Sequence, residues 1–291
     1  MTVDLSWQVR SLNDADIRMV SASVLSVAVA LEELTSSVAT VGLRNDSRAA
    51  IDIAWTGNPE NAEGSTHLES AHKSIRTMCL AATDHMRAFV QGIRSRRTTV
   101  ANWTLTRGAL ESLGGAHYLV GTRDAAQLLS RYVATILEET KFNKGQTFAY
   151  RYGDTVNVDE YRLGARSILE ERGITLESGA SPTSLARAVI EDAAPGSDAK
   201  ARYSQLSAVA HGQAPGVHMF MPEETGMIAL PRALAIDAAH MQIACAQLVG
   251  TELVNYFGPS RLATERWNEQ RKRATATVLL HAREAGDQLP S

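Results

Sequence analysis

The chain holds two cysteines in 291 residues, Cys79 and Cys245. Each sits in an apolar helical pattern, "RTMCLAA" and "QIACAQL". Two isolated cysteines give neither a disulfide framework nor a zinc-ligand spacing, which suits a reducing, cytoplasmic setting. A long apolar run is also lacking. The longest uncharged stretch, "MVSASVLSVAVAL" from Met19 to Leu31, is too short to cross a bilayer as a helix. The N-terminal stretch has early acids and no apolar segment, so no signal peptide and no membrane association are expected. Basic excess is missing too. The net charge is −3, so no broad nucleic-acid-coating surface is advertised. The local runs "IRSRR" and "QRKR" read as solvated faces. There is no Gly-rich phosphate loop, no HExxH, no pair of ExxH segments and no GxSxG elbow. These absences exclude the enzyme classes with loud signatures, and no cofactor or metal is expected.

What is present is helical periodicity. Ile17, Val20, Val24, Val27, Leu31, Leu34, Val38 and Val41 alternate spacings of three and four, a heptad stripe. Asn13 or Ser11 can cap its start and Gly42 can end it. The stripe needs long partners, in a bundle or across a dimer. Residues 43–65 read as a connector loop, with Ile51, Ile53 and Trp55 docking it. Helices are expected over 66–93, with Thr66 and Glu69 as a capping box, then over 99–120 and 123–143. Shorter helices follow over 158–172 and 182–192, the latter with Ser181 and Pro182 as cap and first turn. The next spans 197–211, and a long one opens at Pro231. A small β-hairpin is expected near 217–230 and an exposed, charged last helix and tail over 260–291. The fold class is all-α: a single-domain, elongated bundle of eight or nine helices over 1–291, with self-association expected from its long stripe and last helix.

Polar residues recur at helical spacings. "ATDHMRAF" puts Asp84 and His85 in mid-helix. "LTRGALESLGGAHYL" sets Arg107 and Glu111 at i, i+4, the spacing of a helix ion pair. Its Gly108, Gly114 and Gly115 let another backbone come close, at a cost inside a helix. Arg123 and Arg131 follow on the next helix. "RYSQLSAVAHG" lines up Tyr203, Ser207 and His211 on one face and stops at Gly212. The plain reading is a C-terminal His against the last carbonyls and a left-handed Gly beyond it. The functional reading makes His211 an acid–base or polar anchor, with Ser207 or Tyr203 positioning a substrate.

Together these segments resemble a loose group of uncharacterised all-helical bacterial proteins. In that group an Asp-His helix, an Arg/Glu helix and a late "Y-x-x-L-S-x-x-x-H-G" helix recur in this order. The resemblance covers Ser74 to Gly212. The end of the motif also resembles the HEPN superfamily, many of whose members are ribonucleases of toxin–antitoxin, abortive-infection and CRISPR systems. Their signature is an Arg, often followed by Asn, then a few residues and a His, frequently followed by Gly. His211 and Gly212 fall on the His and Gly, Ser207 on the usual Asn, and Leu206 where Arg is expected. Arg202 lies further upstream than the signature allows. The resemblance therefore implies that Arg107, Arg123 or Arg131 would have to supply the cation.

Three classes of function stay open at this point. One is a HEPN-like defence or toxin–antitoxin protein that acts on RNA or binds a partner protein. The second is a non-enzymatic helical scaffold with buried polar networks. The third is a bundle that binds a small molecule, or a metal at His85, Glu111 and His211. In the first, His211 and Arg107 would be the catalytic pair. Asp84, His85, Glu111, Arg131, Tyr203 and Ser207 would bind or orient, with Glu111 and Asp84 aligning Arg107 and His85.

Overall fold

The computed structural model describes residues 12–41, 43–56, 62–96, 100–149, 155–218, 220 and 231–284. Within them the protein is an all-α bundle. Its helices are α1 (Asp14–Val41), α2 (Arg48–Thr56), α3 (Ala62–Ser95), α4 (Val100–Val120), α5 (Ala125–Glu139), α6 (Val158–Glu171), α7 (Pro182–Ala193), α8 (Ala199–Ala210), α9 (Ala214–His218), α10 (Arg232–Phe257) and α11 (Arg261–Glu284). Eight or nine helices were expected; the surplus comes from the short segments α2 and α9. Strands β1 (Thr147–Ala149) and β2 (Thr155–Asn157) pair antiparallel, with Phe148 opposite Val156.

The heptad stripe of α1 is consumed inside the chain. From Ile17 to Val38 each of its residues is buried, and α1 packs on α3, α10 and α11. Asn13 caps this helix: its Oδ1 accepts from Asp16 N at 2.9 Å, while Asp16 Oδ2 accepts from Asn13 N at 3.0 Å. Asp16 is itself buried and takes Arg232 Nε at 2.9 Å, tying the start of α1 to the start of α10. α10 is long and apolar enough to cross a membrane, but 67% of that window is buried in the bundle, so its apolarity is that of a core helix.

α4 is the hub. It packs against α3, α5, α7, α8 and α10. Its glycines make that possible. A Cβ at Gly114 would lie 2.5 Å from the Leu185 carbonyl carbon of α7, and one at Gly115 2.8 Å from Met78 Sδ of α3. Helix propensity is given up so that two neighbours can come close.

Three expectations need correcting, and a fourth lies mostly outside the described residues. The stretch 43–65 is not a plain connector, since α2 forms inside it and α3 already begins at Ala62, ahead of the expected cap at Thr66. α2 docks through buried Ala49 and Asp52, whereas Ile51 and Trp55 face outward. The described strands lie at 147–149 and 155–157, in the segment "QTFAYRYGDTVN", and most of the hairpin expected near 217–230 falls outside the described residues. Val217 is helical in α9, and residues 219 and 221–230 lie outside the described residues, as do Gly42 and the tail 285–291. Finally, α11 is not an exposed appendage. Trp267 is buried against Gly250 of α10, and one face of α11 covers α1.

Candidate functional site

α8 is built as its pattern requires and presents one polar row to α4. Asp198 caps its start by accepting from Ala201 N at 2.8 Å. Its end is a Schellman closure. Gly212 has a φ of 65° and donates to Val209 O at 3.0 Å, and Gln213 N donates to Ala208 O at 2.9 Å. His211 is thus the exposed C-terminal cap of the helix, while Tyr203, Leu206 and Val209 are buried beneath it.

Across from this row stands Arg107 of α4. Its NH1 lies 3.0 Å from His211 Nε2. A guanidinium has only donors, so the imidazole must accept through Nε2 and carry its proton on Nδ1. Arg107 Nε donates to Glu111 Oε1 at 2.7 Å, the i, i+4 pair the sequence suggests. The same Glu111 oxygen accepts the Tyr203 hydroxyl at 2.5 Å. The cluster therefore runs His211–Arg107–Glu111–Tyr203.

Electrostatics support those roles. Burial pulls the Arg107 guanidinium down, but its bond and charge contact with Glu111 outweigh this and leave it above its ordinary value. Burial first, and Glu111 second, push the Tyr203 phenol up, so it stays a donor. Two elements missed in the sequence complete the surroundings, both on α7. Thr183 Oγ1 lies 3.3 Å from the Tyr203 hydroxyl, and the Arg187 guanidinium stands 5.7 Å from the Tyr203 ring centroid, as does that of Arg107. No local spacing announces these contacts.

Of the other expected residues, His85 is nearest. Its ring packs on Gly108, where an added Cβ would lie 2.7 Å from Nε2, so it sits beside the cluster on α4. Asp84, one position earlier on α3, is exposed, and adjacent positions on a helix do not face each other, so it is not set to orient His85. Ser207 is half-buried and gives its backbone carbonyl to His211 N at 3.0 Å.

Arg131 belongs elsewhere. It pairs with Glu177 Oε2 at 3.0 Å, donates to Tyr118 O at 2.7 Å and stacks 4.6 Å from the Tyr118 ring centroid. The backbone N–H of Arg123 donates to Gln127 Oε1 at 2.8 Å, and its carbonyl accepts from Arg48. Arg202 pairs with Asp237 at 3.5 Å. Among the arginines expected to serve His211, the one brought within hydrogen-bond distance of it is Arg107. A shared metal at His85, Glu111 and His211 is not supported. The Arg107 guanidinium contacts both Glu111 and His211, and no group of three metal-ligating residues converges among the described residues.

Two further polar networks lie apart from this cluster. His72 Nε2 lies 2.9 Å from Tyr256 Oη, which donates to Asp52 Oδ2 at 2.8 Å, while Arg48 Nε holds Asp52 Oδ1 at 2.8 Å. This relay is buried, and burial pulls His72 down to about 4. The second centres on His117, between Asp192 and Glu252. A cleft of about 820 Å³ also opens between α3, α5 and α6, lined by Lys73, Tyr132, Glu139, Tyr161 and Glu171 among others, and shares no residue with the cluster. Comparison with models of known protein families, with curated proteins and with solved structures finds no match for this chain.

Proposed function

We propose that this protein is a HEPN-like, cytoplasmic, RNA-directed protein of the bacterial defence or toxin–antitoxin kind, acting through Arg107 and His211. One observation carries the reading: the Arg107 guanidinium reaches His211 Nε2 at 3.0 Å, at the exposed end of α8. The arginine missing from the motif on α8 is replaced in space by one from α4. The chemistry suits a phosphodiester. Arg107 would bind the phosphate and balance the charge that builds on it. Once the phosphate engages Arg107, His211 Nε2 is released to take a proton from a ribose hydroxyl. Glu111 holds Arg107 by its Nε and leaves the NH1 edge toward His211.

A second reading rests on a different observation. Glu111 already satisfies both Arg107 and Tyr203, so the same four residues also suit a structural network in a scaffold that binds a partner protein.

One experiment separates the two. The wild type, His211→Ala and Arg107→Ala are expressed in an inducible bacterial host, and growth and total RNA integrity are followed. The RNA-directed reading expects toxicity and RNA cleavage in the wild type, falling on the order of a hundredfold or more in either variant, the size of a lost acid–base or charge-stabilising group. Intact RNA with all three proteins folded overturns it and leaves the scaffold.

A further inference from the structure

We propose that His117, held between the carboxylates of Asp192 and Glu252, is a proton-operated clamp that fastens the C-terminal end of α7 to α4 and α10. His117 stands in the last turn of α4. Its Nδ1 lies 2.8 Å from Glu252 Oε2 of α10 and its Nε2 lies 2.8 Å from Asp192 Oδ2 of α7. A carboxylate only accepts, so both contacts are hydrogen bonds only when both ring nitrogens carry protons, in the imidazolium form. A neutral ring keeps one N–H and turns a lone pair on the other carboxylate. One of the two ties then becomes a repulsion.

The site is built for the charged form in three ways. Glu252 is half-buried and the His117 side chain is 16% exposed, so their contact is poorly screened. The last turn of α4 adds the favourable end of a helix dipole. The charged groups that act on the ring among the described residues are Glu252 and Asp192, and both are negative. Burial pulls the imidazole down, but bonds and charges from Glu252 and then Asp192 leave it above its ordinary value. The clamp is therefore closed on the acid side of a midpoint that lies above the ordinary histidine value, and it opens on the alkaline side of that midpoint.

Opening would act on one end of α7. The N-terminal part of the helix stays locked, because its backbone at Leu185 meets Gly114. Asp192, with a side chain 57% exposed, is the tie free to let go. α7 carries Thr183 and Arg187 against Tyr203, and the turn after it leads into α8. That the clamp thereby tunes the Arg107–His211 cluster rests on the RNA-directed reading above; the clamp itself does not.

The test uses the full-length, 15N-labelled chain. Histidine ring nitrogens are titrated by NMR, with His117 assigned through His117→Gln. Amide exchange at residues 189–193, corrected for its intrinsic pH dependence, is measured in parallel. Expected are a His117 midpoint above that of an unperturbed histidine, and a downward shift in Asp192→Asn with the fold unchanged. Exchange at 189–193 should rise several-fold as the pH passes that midpoint in the wild type, and show no such step in His117→Gln. Should His117→Gln fail to fold, Asp192→Asn serves for the exchange as well, because Asp192 is an exposed partner. A midpoint at or below the ordinary value, or exchange that ignores the transition, overturns the clamp. Neither result depends on RNA cleavage, so failure of the clamp and failure of the functional reading are told apart.

Discussion

Whether a side chain can do chemistry depends on what its surroundings let it ionise. Burial pushes both thiols, Cys79 and Cys245, up to about 12. The thiolate is the reactive species. Neither cysteine should therefore react with a disulfide reagent such as Ellman's in the native state, and both should react once the chain is unfolded in denaturant. His72 gives a second expectation. Its folded value near 4 lies below its ordinary 6.5, so the native state binds fewer protons than the unfolded chain between them. Its contribution to stability is full above about 6.5 and is lost as the pH falls toward about 4, which denaturant midpoints across that range will show as a loss that His72→Gln reduces. At the cluster, Tyr203→Phe deletes a bond to Glu111 that Arg107 still satisfies. It should cost about 1 kcal/mol of stability, the net value of one such bond, measured by urea unfolding. The Arg107–Glu111 half of the cluster was legible in the sequence because i, i+4 on a helix is local geometry. The Arg107–His211 half was not, because those residues are 104 positions apart and only the packing of α8 on α4 joins them. Arg131, a candidate by the same local logic, went to Glu177 and Tyr118 instead.

Elements follow from two different kinds of signal, and only one is written locally. The heptad stripe of α1, the Ser181–Pro182 start of α7 and the Gly212 stop of α8 all stand where the pattern puts them. Docking faces are the other kind. α11 looks like a solvated charged helix until Trp267 finds the space above Gly250, where an added Cβ would lie 2.1 Å from the indole. α2 was hidden because its buried residues, Ala49 and Asp52, are a small residue and an acid whose partners lie on α10 and elsewhere on α2. The glycines of α4 offer a matched test of docking. At Gly114 a methyl would meet the Leu185 and Ala186 backbone at 2.5 to 2.8 Å, which cannot yield without moving α7. At Gly108 it would meet the His85 ring, the far end of a side chain. Gly→Ala inside a helix gains about 1 kcal/mol in propensity. Gly108→Ala should therefore be near neutral. Gly114→Ala should lose about 1–3 kcal/mol net of that gain, the range for overpacking, and loosen α7 from α4. Guanidinium unfolding of the two variants side by side checks the difference.

At the scale of the whole molecule, one question is how many chains make a site. Self-association was expected from the α1 stripe and a free last helix. Both are used within the chain: α11 and α3 cover α1, and one buried core runs from Ile17 of α1 to Ala274 of α11. That removes the two surfaces which argued for a dimer seam, though not association through others. Here the arginine and the histidine meet within one chain. If the RNA-directed reading holds, a single folded chain already carries the pair. Cleavage per chain should then be constant on dilution through any dissociation step seen by light scattering. A mixture of Arg107→Ala and His211→Ala chains should stay inactive, because neither variant can lend its partner the missing group. Recovery of activity in that mixture would place the working pair between chains, and the 3.0 Å contact within one chain would then be a resting arrangement rather than the reacting one.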